Sequence, residues 1–122
     1  MTEFAGGSAL GPLEAEVMGV LWAADEPTSV RDVAQRLNNG RPSPLAYTTV
    51  MTVLVRLAGK GFVVREQHGR GYVYTSAVAD TAEIAVRGVL AEFGDAALAR
   101  FVERVEMDPR LRARLRRLMG AR

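Results

Sequence analysis

The stretch "AYTTVMTVLVRLAGKG", residues 46–61, decides the fold. Between Tyr47 and Leu57 it carries six β-branched residues, Thr48, Thr49, Val50, Thr52, Val53 and Val55, a composition typical of strands. Its spacing is helical. Val50, Leu54 and Leu57 recur at i, i+4 and i+7, flanked by Tyr47, Val53 and Ala58. A half-buried strand would alternate, and Val53, Leu54 and Val55 run without alternation. Helix propensity disfavours such residues by only ~0.5 kcal/mol each, less than the burial of one core side chain gains, so the periodicity predicts a helix. Thr48, Thr52, Arg56 and Lys60 follow one another at four-residue steps on the opposite side, with Met51 and Val55 beside them. Alanine, glutamate or lysine would fill an idle face better, so the threonines point to a task.

Outward from this helix, the N-terminal side reads as two more helices. In "LGPLEAEVMGVLWAA", Gly11 suits the cap, Pro12 the first helical position and Glu14 the first turn. Leu13, Val17, Val20, Leu21 and Ala24 make the expected buried stripe. "TSVRDVAQRLNNG" follows, with Ser29 and Asp32 spaced as a capping box and Val30, Val33, Ala34 and Leu37 as the apolar face. "RPSPL" is a turn-rich connection. On the C-terminal side, "FVVRE" and "YVYTS" flank "QHGRG", a hairpin signal with Gly69 and Gly71 allowing positive φ at the tip. A short strand at residues 28–30 is available to pair with it. Residues 10–78 thus read helix, helix, helix, hairpin: a winged helix-turn-helix. Residues 79–122 are helical again in three amphipathic segments, and residues 1–9 are expected to be disordered. The fold class is mostly α with a small β-hairpin wing.

Composition narrows the function. The chain has 122 residues, 48% of them hydrophobic, enough for one small core. It has no cysteine and one histidine, His68, which argues against thiol chemistry, thiolate metal sites, multi-histidine metal sites and catalytic triads. No phosphate loop is present, so neither an enzyme nor a cofactor is expected. No apolar run reaches the roughly 18 residues of a membrane span, and "MTEFAGGS" lacks the regions of a signal peptide, so a cytoplasmic protein is expected. Net charge is only +2, but unevenly spread. Residues 1–26 hold five acids and no base; residues 27–78 hold seven bases against Asp32 and Glu66; residues 110–122 hold six arginines and no acid. Such segregation suggests a polyanion partner. Fifteen arginines beside the single Lys60 also reflect a codon bias, which weakens any case for arginine as such.

"LGPLEAEVMGVLW", "AYTTVMTVLVRLAGKG", "GRGYVYTSAV" and "ARFVERV", in this order and spacing, resemble the penicillinase-repressor family of the BlaI/MecI type over roughly residues 10–119. The resemblance implies a homodimeric transcriptional repressor with an N-terminal winged helix and a C-terminal dimerisation part. It implies dyad operators with TACA and TGTA half-sites. In members linked to antibiotic response, a membrane-bound zinc protease sensor triggers cleavage of an Asn-Phe bond in the dimerisation helices. The matching bond here is Arg100–Phe101, where the Phe-Val-Glu context is kept and an arginine replaces the asparagine. Copper-responsive relatives carry a cysteine motif that this chain lacks.

Within that frame, Thr48, Thr49 and Thr52 are expected to read bases. They are short enough to let the helix backbone enter a major groove ~12 Å wide, with methyls for thymine and hydroxyls for base edges or phosphate. Met51 adds apolar contact, while Arg56 and Lys60 are expected on phosphates. Tyr47 has two readings, phosphate contact through its hydroxyl or closure of the core beside Leu54. Arg70 is expected at the wing tip, touching minor groove or phosphate, with His68 nearby. The expected dimer stripe is Val86, Leu90, Phe93, Leu98, Phe101, Val102, Val105, Leu111, Leu115 and Leu118. The arginines of the last segment are expected to pair with acids such as Glu103 and Glu106; the other reading is a basic segment for nucleic acid or membrane. The rival function is a winged-helix module that binds protein.

Overall fold

The computed structural model describes residues 10–120; the expected disorder of residues 1–9 lies outside them. The chain runs α1 (Pro12–Ala23), β1 (Thr28–Ser29), α2 (Val30–Asn38), α3 (Tyr47–Gly59), β2 (Val63–His68), β3 (Gly71–Ser76), α4 (Thr81–Phe93), α5 (Asp95–Met107) and α6 (Pro109–Gly120). The strands form an antiparallel sheet of order β1-β3-β2, with Thr28 opposite Tyr74 and Val63 opposite Ser76. Helices α1, α2 and α3 pack on one another and on this sheet. This is a winged helix-turn-helix followed by a helical tail.

The three helices bury one stripe each. Val17, Met18 and Leu21 come from α1, Val30, Val33 and Leu37 from α2, and Val50, Val53, Leu54 and Leu57 from α3. Val63 and Tyr74 close the core from the sheet. The α1 stripe is rotated from expectation. Met18 and Glu14 are buried, whereas Leu13 and Val20 are only half-buried. Ile84 joins the same core, which therefore extends past residue 78 into the first turn of α4. Trp22 secures that junction by donating its indole N–H to Ser76 Oγ at 3.0 Å and to the Val78 carbonyl at 2.9 Å.

Local signals set the ends of the elements. Ser29 Oγ accepts from the Asp32 N–H at 3.1 Å, Asp80 Oδ1 from the Glu83 N–H at 2.9 Å, and Asp108 Oδ1 from the N–H groups of Arg110 and Leu111 at 3.0 and 3.1 Å. Helix α3 stops in a Schellman turn. Phe62 N–H reaches the Leu57 carbonyl at 3.1 Å and Gly61 N–H the Ala58 carbonyl at 3.0 Å, with Gly61 at φ 82° where a side chain would be strained. In the wing, Gly69 has φ 63° and His68 pairs with Gly71, so Gly69 and Arg70 form the two-residue turn. Positive φ at the first central position alone fits a type II′ hairpin. Gly71 was also expected to use positive φ and does not; it is the first residue of β3.

The tail leaves much apolar surface open. Val86, Leu90, Phe93, Leu98, Phe101, Val102 and Leu118 are exposed, and Val105, Leu111 and Leu115 are half-covered by the turn of α5 against α6. The expected pairing of the α6 arginines with Glu103 and Glu106 is corrected. Glu103 pairs with Arg100 one turn earlier at 3.0 Å, and Arg112 donates to the Glu106 backbone carbonyl instead of its carboxylate. Arg100 is nearer to Glu103 along the helix than any α6 residue is, and local i,i+3 geometry wins.

Candidate nucleic-acid interface

Helix α3 turns its buried stripe inward, which fixes what faces out. Thr48, Met51, Thr52, Val55 and Arg56 lie exposed on the opposite side, and Gly59 leaves the last turn of that side without a side chain. Thr49, Arg56 and Leu13 border a shallow hollow towards α1. Tyr47 lies on the other flank, in a hollow with Arg31, Gln35 and Arg36 of α2. Tyr47 is 54% exposed, so of its two readings the structure excludes core closure.

Two details define the chemistry of this face. Thr52 Oγ1 donates its proton to the Thr48 carbonyl at 2.9 Å. Its hydroxyl is thereby left as an acceptor towards solvent, suited to an exocyclic amine of adenine or cytosine, while its methyl stays free for apolar contact. Ala46, the N-cap of α3, offers no side-chain hydrogen bond. The N–H groups of Tyr47 and Thr48 thus take no side-chain cap and can donate to a phosphate, while the Thr49 N–H is bonded to the Ala46 carbonyl at 3.1 Å.

The angle of α3 is held by Asn38. Its side-chain amide donates to the Leu45 carbonyl at 3.1 Å and accepts from the Leu45 N–H at 2.7 Å, clamping both ends of one peptide position across the connection. The prolines of this connection suggested a turn; the clamp that orders it carries no local sequence signal.

Lys60 is placed differently from expectation. Its Nζ donates to both oxygens of buried Glu14, at 2.9 and 3.0 Å, and so ties the end of α3 to α1. Glu14 Oε1 also accepts from the Gly11 N–H at 2.9 Å. Burial alone would push the Glu14 carboxyl up. The Gly11 N–H, Lys60 and the more distant Arg56 outweigh it and hold the carboxyl below its ordinary value. A depressed folded value means that this pair stabilises the fold at pH above the ordinary carboxyl range, and that the contribution disappears as pH falls through the folded value. Glu14→Gln is therefore expected to cost about 1–2 kcal/mol near neutrality, less than a fully buried pair because Lys60 can turn to water, and to flatten the acid side of the stability curve. Urea unfolding at a series of pH values measures both.

At the wing, Arg70 is exposed in the turn and His68 is exposed at the end of β2. Arg65 stacks over Tyr72, its guanidinium 4.2 Å from the ring centroid, which braces the two wing strands against each other.

The sequence profile described as "Penicillinase repressor" matches residues 10–121. The chain belongs to the penicillinase repressor family. The protein called "Transcriptional regulator BlaI" in Mycobacterium tuberculosis (strains CDC 1551 / Oshkosh and ATCC 25618 / H37Rv) is 42% identical over 106 residues, covering 81% of this chain and 75% of its own length. The solution structure of the DNA binding domain of the repressor BlaI is similar at 26% identity and a TM-score of 0.52, covering 66% of this chain and 92% of that one. The complex structure of hsRosR-S4 shares the fold over 96% of this chain and 92% of that one, with a TM-score of 0.54 at 15% identity. The mycobacterial relative is named a transcriptional regulator, and no helix among the described residues is long and apolar enough to cross a membrane.

Viewed as a member of this family, the chain adds residues to the candidate surface that sequence reasoning missed. Arg31 and Arg36 join Tyr47 through the α2 hollow, and Val55, already placed beside the threonines by its spacing but given no role there, is 47% exposed one turn beyond Thr52. The two arginines could be found only once α2 and α3 were set against each other.

Proposed function

We propose that this family member is a homodimeric, cytoplasmic transcriptional repressor. It lays α3 of each protomer into successive major grooves of a dyad operator with TACA and TGTA half-sites, while the wing reaches adjacent backbone. The carrying observation is the outward side of α3: threonines, an uncapped N-terminus and flanking arginines on a helix whose other side is fully buried. Thr48, Thr49, Met51, Thr52 and Val55 contact bases. Tyr47, Arg56, Arg31 and Arg36 contact phosphates, with Arg70 and His68 at the wing. Lys60 is omitted from the phosphate set because Glu14 engages it. Residues 10–78 act as the DNA-binding unit and residues 79–122 as the dimerisation unit.

Titration of a TACA/TGTA duplex at several salt concentrations tests this reading. Affinity should fall steeply with salt. Failure to bind any duplex at low salt would favour the protein-interaction module. Thr52→Ala should weaken operator binding by about 1–2 kcal/mol, the value of one base contact, and leave random-DNA binding unchanged. An equal loss on both duplexes would remove Thr52 from base reading.

Relief of repression through a membrane metalloprotease sensor requires access to the Arg100–Phe101 bond. Both residues are exposed in a single protomer, but Phe101 belongs to the proposed subunit contact and both lie in the middle of α5, with Arg100 paired to Glu103. Cleavage therefore needs local unwinding of α5. Fragment mapping from induced cells tests it: a cut elsewhere, or none, assigns relief to another signal.

A further inference from the structure

We propose that α6 carries a second, sequence-independent phosphate-binding surface that holds DNA flanking the operator. The inference rests on the repressor reading above. Arg110, Arg114 and Arg117 recur at i, i+4 and i+7, so they project within one narrow arc of the helix. All three are exposed and line one hollow with Ala113 and Asp108. The carboxylate at that hollow, Asp108, caps the helix by accepting at Oδ1 from the N–H groups of Arg110 and Leu111 and forms no salt bridge with the three arginines. Of the nearby acids, Glu103 binds Arg100, and Glu106 is met through its backbone carbonyl by Arg112 and forms no salt bridge with these arginines. Among the described residues these three guanidiniums form no salt bridge.

Three cations spaced about 6 Å and about 4.5 Å along a helix axis repel one another weakly in water, and an anion lying across them relieves that repulsion. A chain of phosphates meets that need, and guanidinium binds phosphate in a planar, two-pronged way. The apolar side of α6, with Leu111, Leu115 and Leu118, lies on another arc, so protein packing on that side leaves the arginine arc open. Duplex DNA is the polyanion already delivered to this molecule by its winged helix, and we assign the arc to its backbone.

The test uses the full-length protein and two duplexes, the operator alone and the operator extended by one helical turn, about 10 base pairs, on each side. Wild type should bind the extended duplex more tightly. The triple variant Arg110→Gln/Arg114→Gln/Arg117→Gln should lose that advantage and show a log affinity–log salt slope shallower by about 5, for six phosphates per dimer. Triple replacement by lysine should retain most of the slope. Equal binding of both duplexes by wild type, or an unchanged slope in the glutamine variant, overturns the proposal while leaving operator binding intact. Absence of binding to either duplex by wild type instead overturns the repressor reading beneath it. A monomeric glutamine variant in sedimentation assigns the arginines to the subunit contact and also overturns it. So does loss of binding to phosphatidylglycerol vesicles with duplex binding unchanged, which would make the arc a membrane surface.

Discussion

Phe101→Asp is expected to give a monomer that binds its operator about 100-fold or more weakly than wild type, because two linked reading heads become two separate ones. Phe101 stands 46% exposed in an apolar hollow between α4 and α5 whose other walls include Val86, Leu90 and Leu98. Several further apolar side chains of the tail, Phe93, Val102 and Leu118 among them, lie open nearby in sequence. A soluble monomer rarely leaves so much contiguous apolar surface in water, and a second copy of the same surface is the simplest cover. Burial of one phenylalanine contributes about 1.5–3 kcal/mol, and forcing a carboxylate into the same place costs more than is lost by truncation. A two-fold interface would carry the substitution twice. Helix content by circular dichroism should change little, since no residue of α5 belongs to the buried core. Sedimentation velocity at micromolar protein reads the outcome. A variant that remains dimeric would show that α4–α6 do not hold the subunits together, and the reading of residues 79–122 as a dimerisation unit would fall with it.

How much could be read ahead of the coordinates depended on how far apart the interacting residues are. Helix α3, the hairpin and the cap at Ser29 each arise from residues three or four apart, or from one tight turn, and the local rules found them. The arrangement that orients the reading helix does not. Asn38 grips Leu45 across a connection whose prolines and serine announce only a turn. Trp22 meets Ser76 and Val78 more than fifty residues away. Glu14 looked like a surface acid placed for the helix dipole, yet it is buried because Lys60, forty-six residues on, arrives to neutralise it. The same pair engages Lys60, which periodicity alone put in one row with Thr48, Thr52 and Arg56. Periodicity assigns a direction to a side chain; it does not say which opposite charge is waiting there.

That separation of sides makes α3 the place for the second large effect. Leu54→Ala should destabilise the protein by about 2–5 kcal/mol, a large part of the 5–15 kcal/mol that usually separates folded from unfolded states. Leu54 is fully buried at the centre of the three-helix core, among residues from α1, α2 and the sheet. Several of its core partners are β-branched, Val17, Val33 and Val50 among them. Such side chains have few rotamers with which to fill the hole, so little of the lost contact should be recovered by collapse. Thr52→Ala, two residues away on the other side, should do the opposite to stability. It removes a β-branched residue and its back-bond to Thr48 and gains a few tenths of a kcal/mol in helix propensity, while operator affinity falls. Urea unfolding of the two variants at one fixed protein concentration compares them directly, because subunit association would otherwise shift the midpoint. Equal destabilisation by both would mean that the threonine side of α3 is packed and not open. The strand-forming letters on that side would then be core residues, and the helix would have no free surface with which to enter a groove.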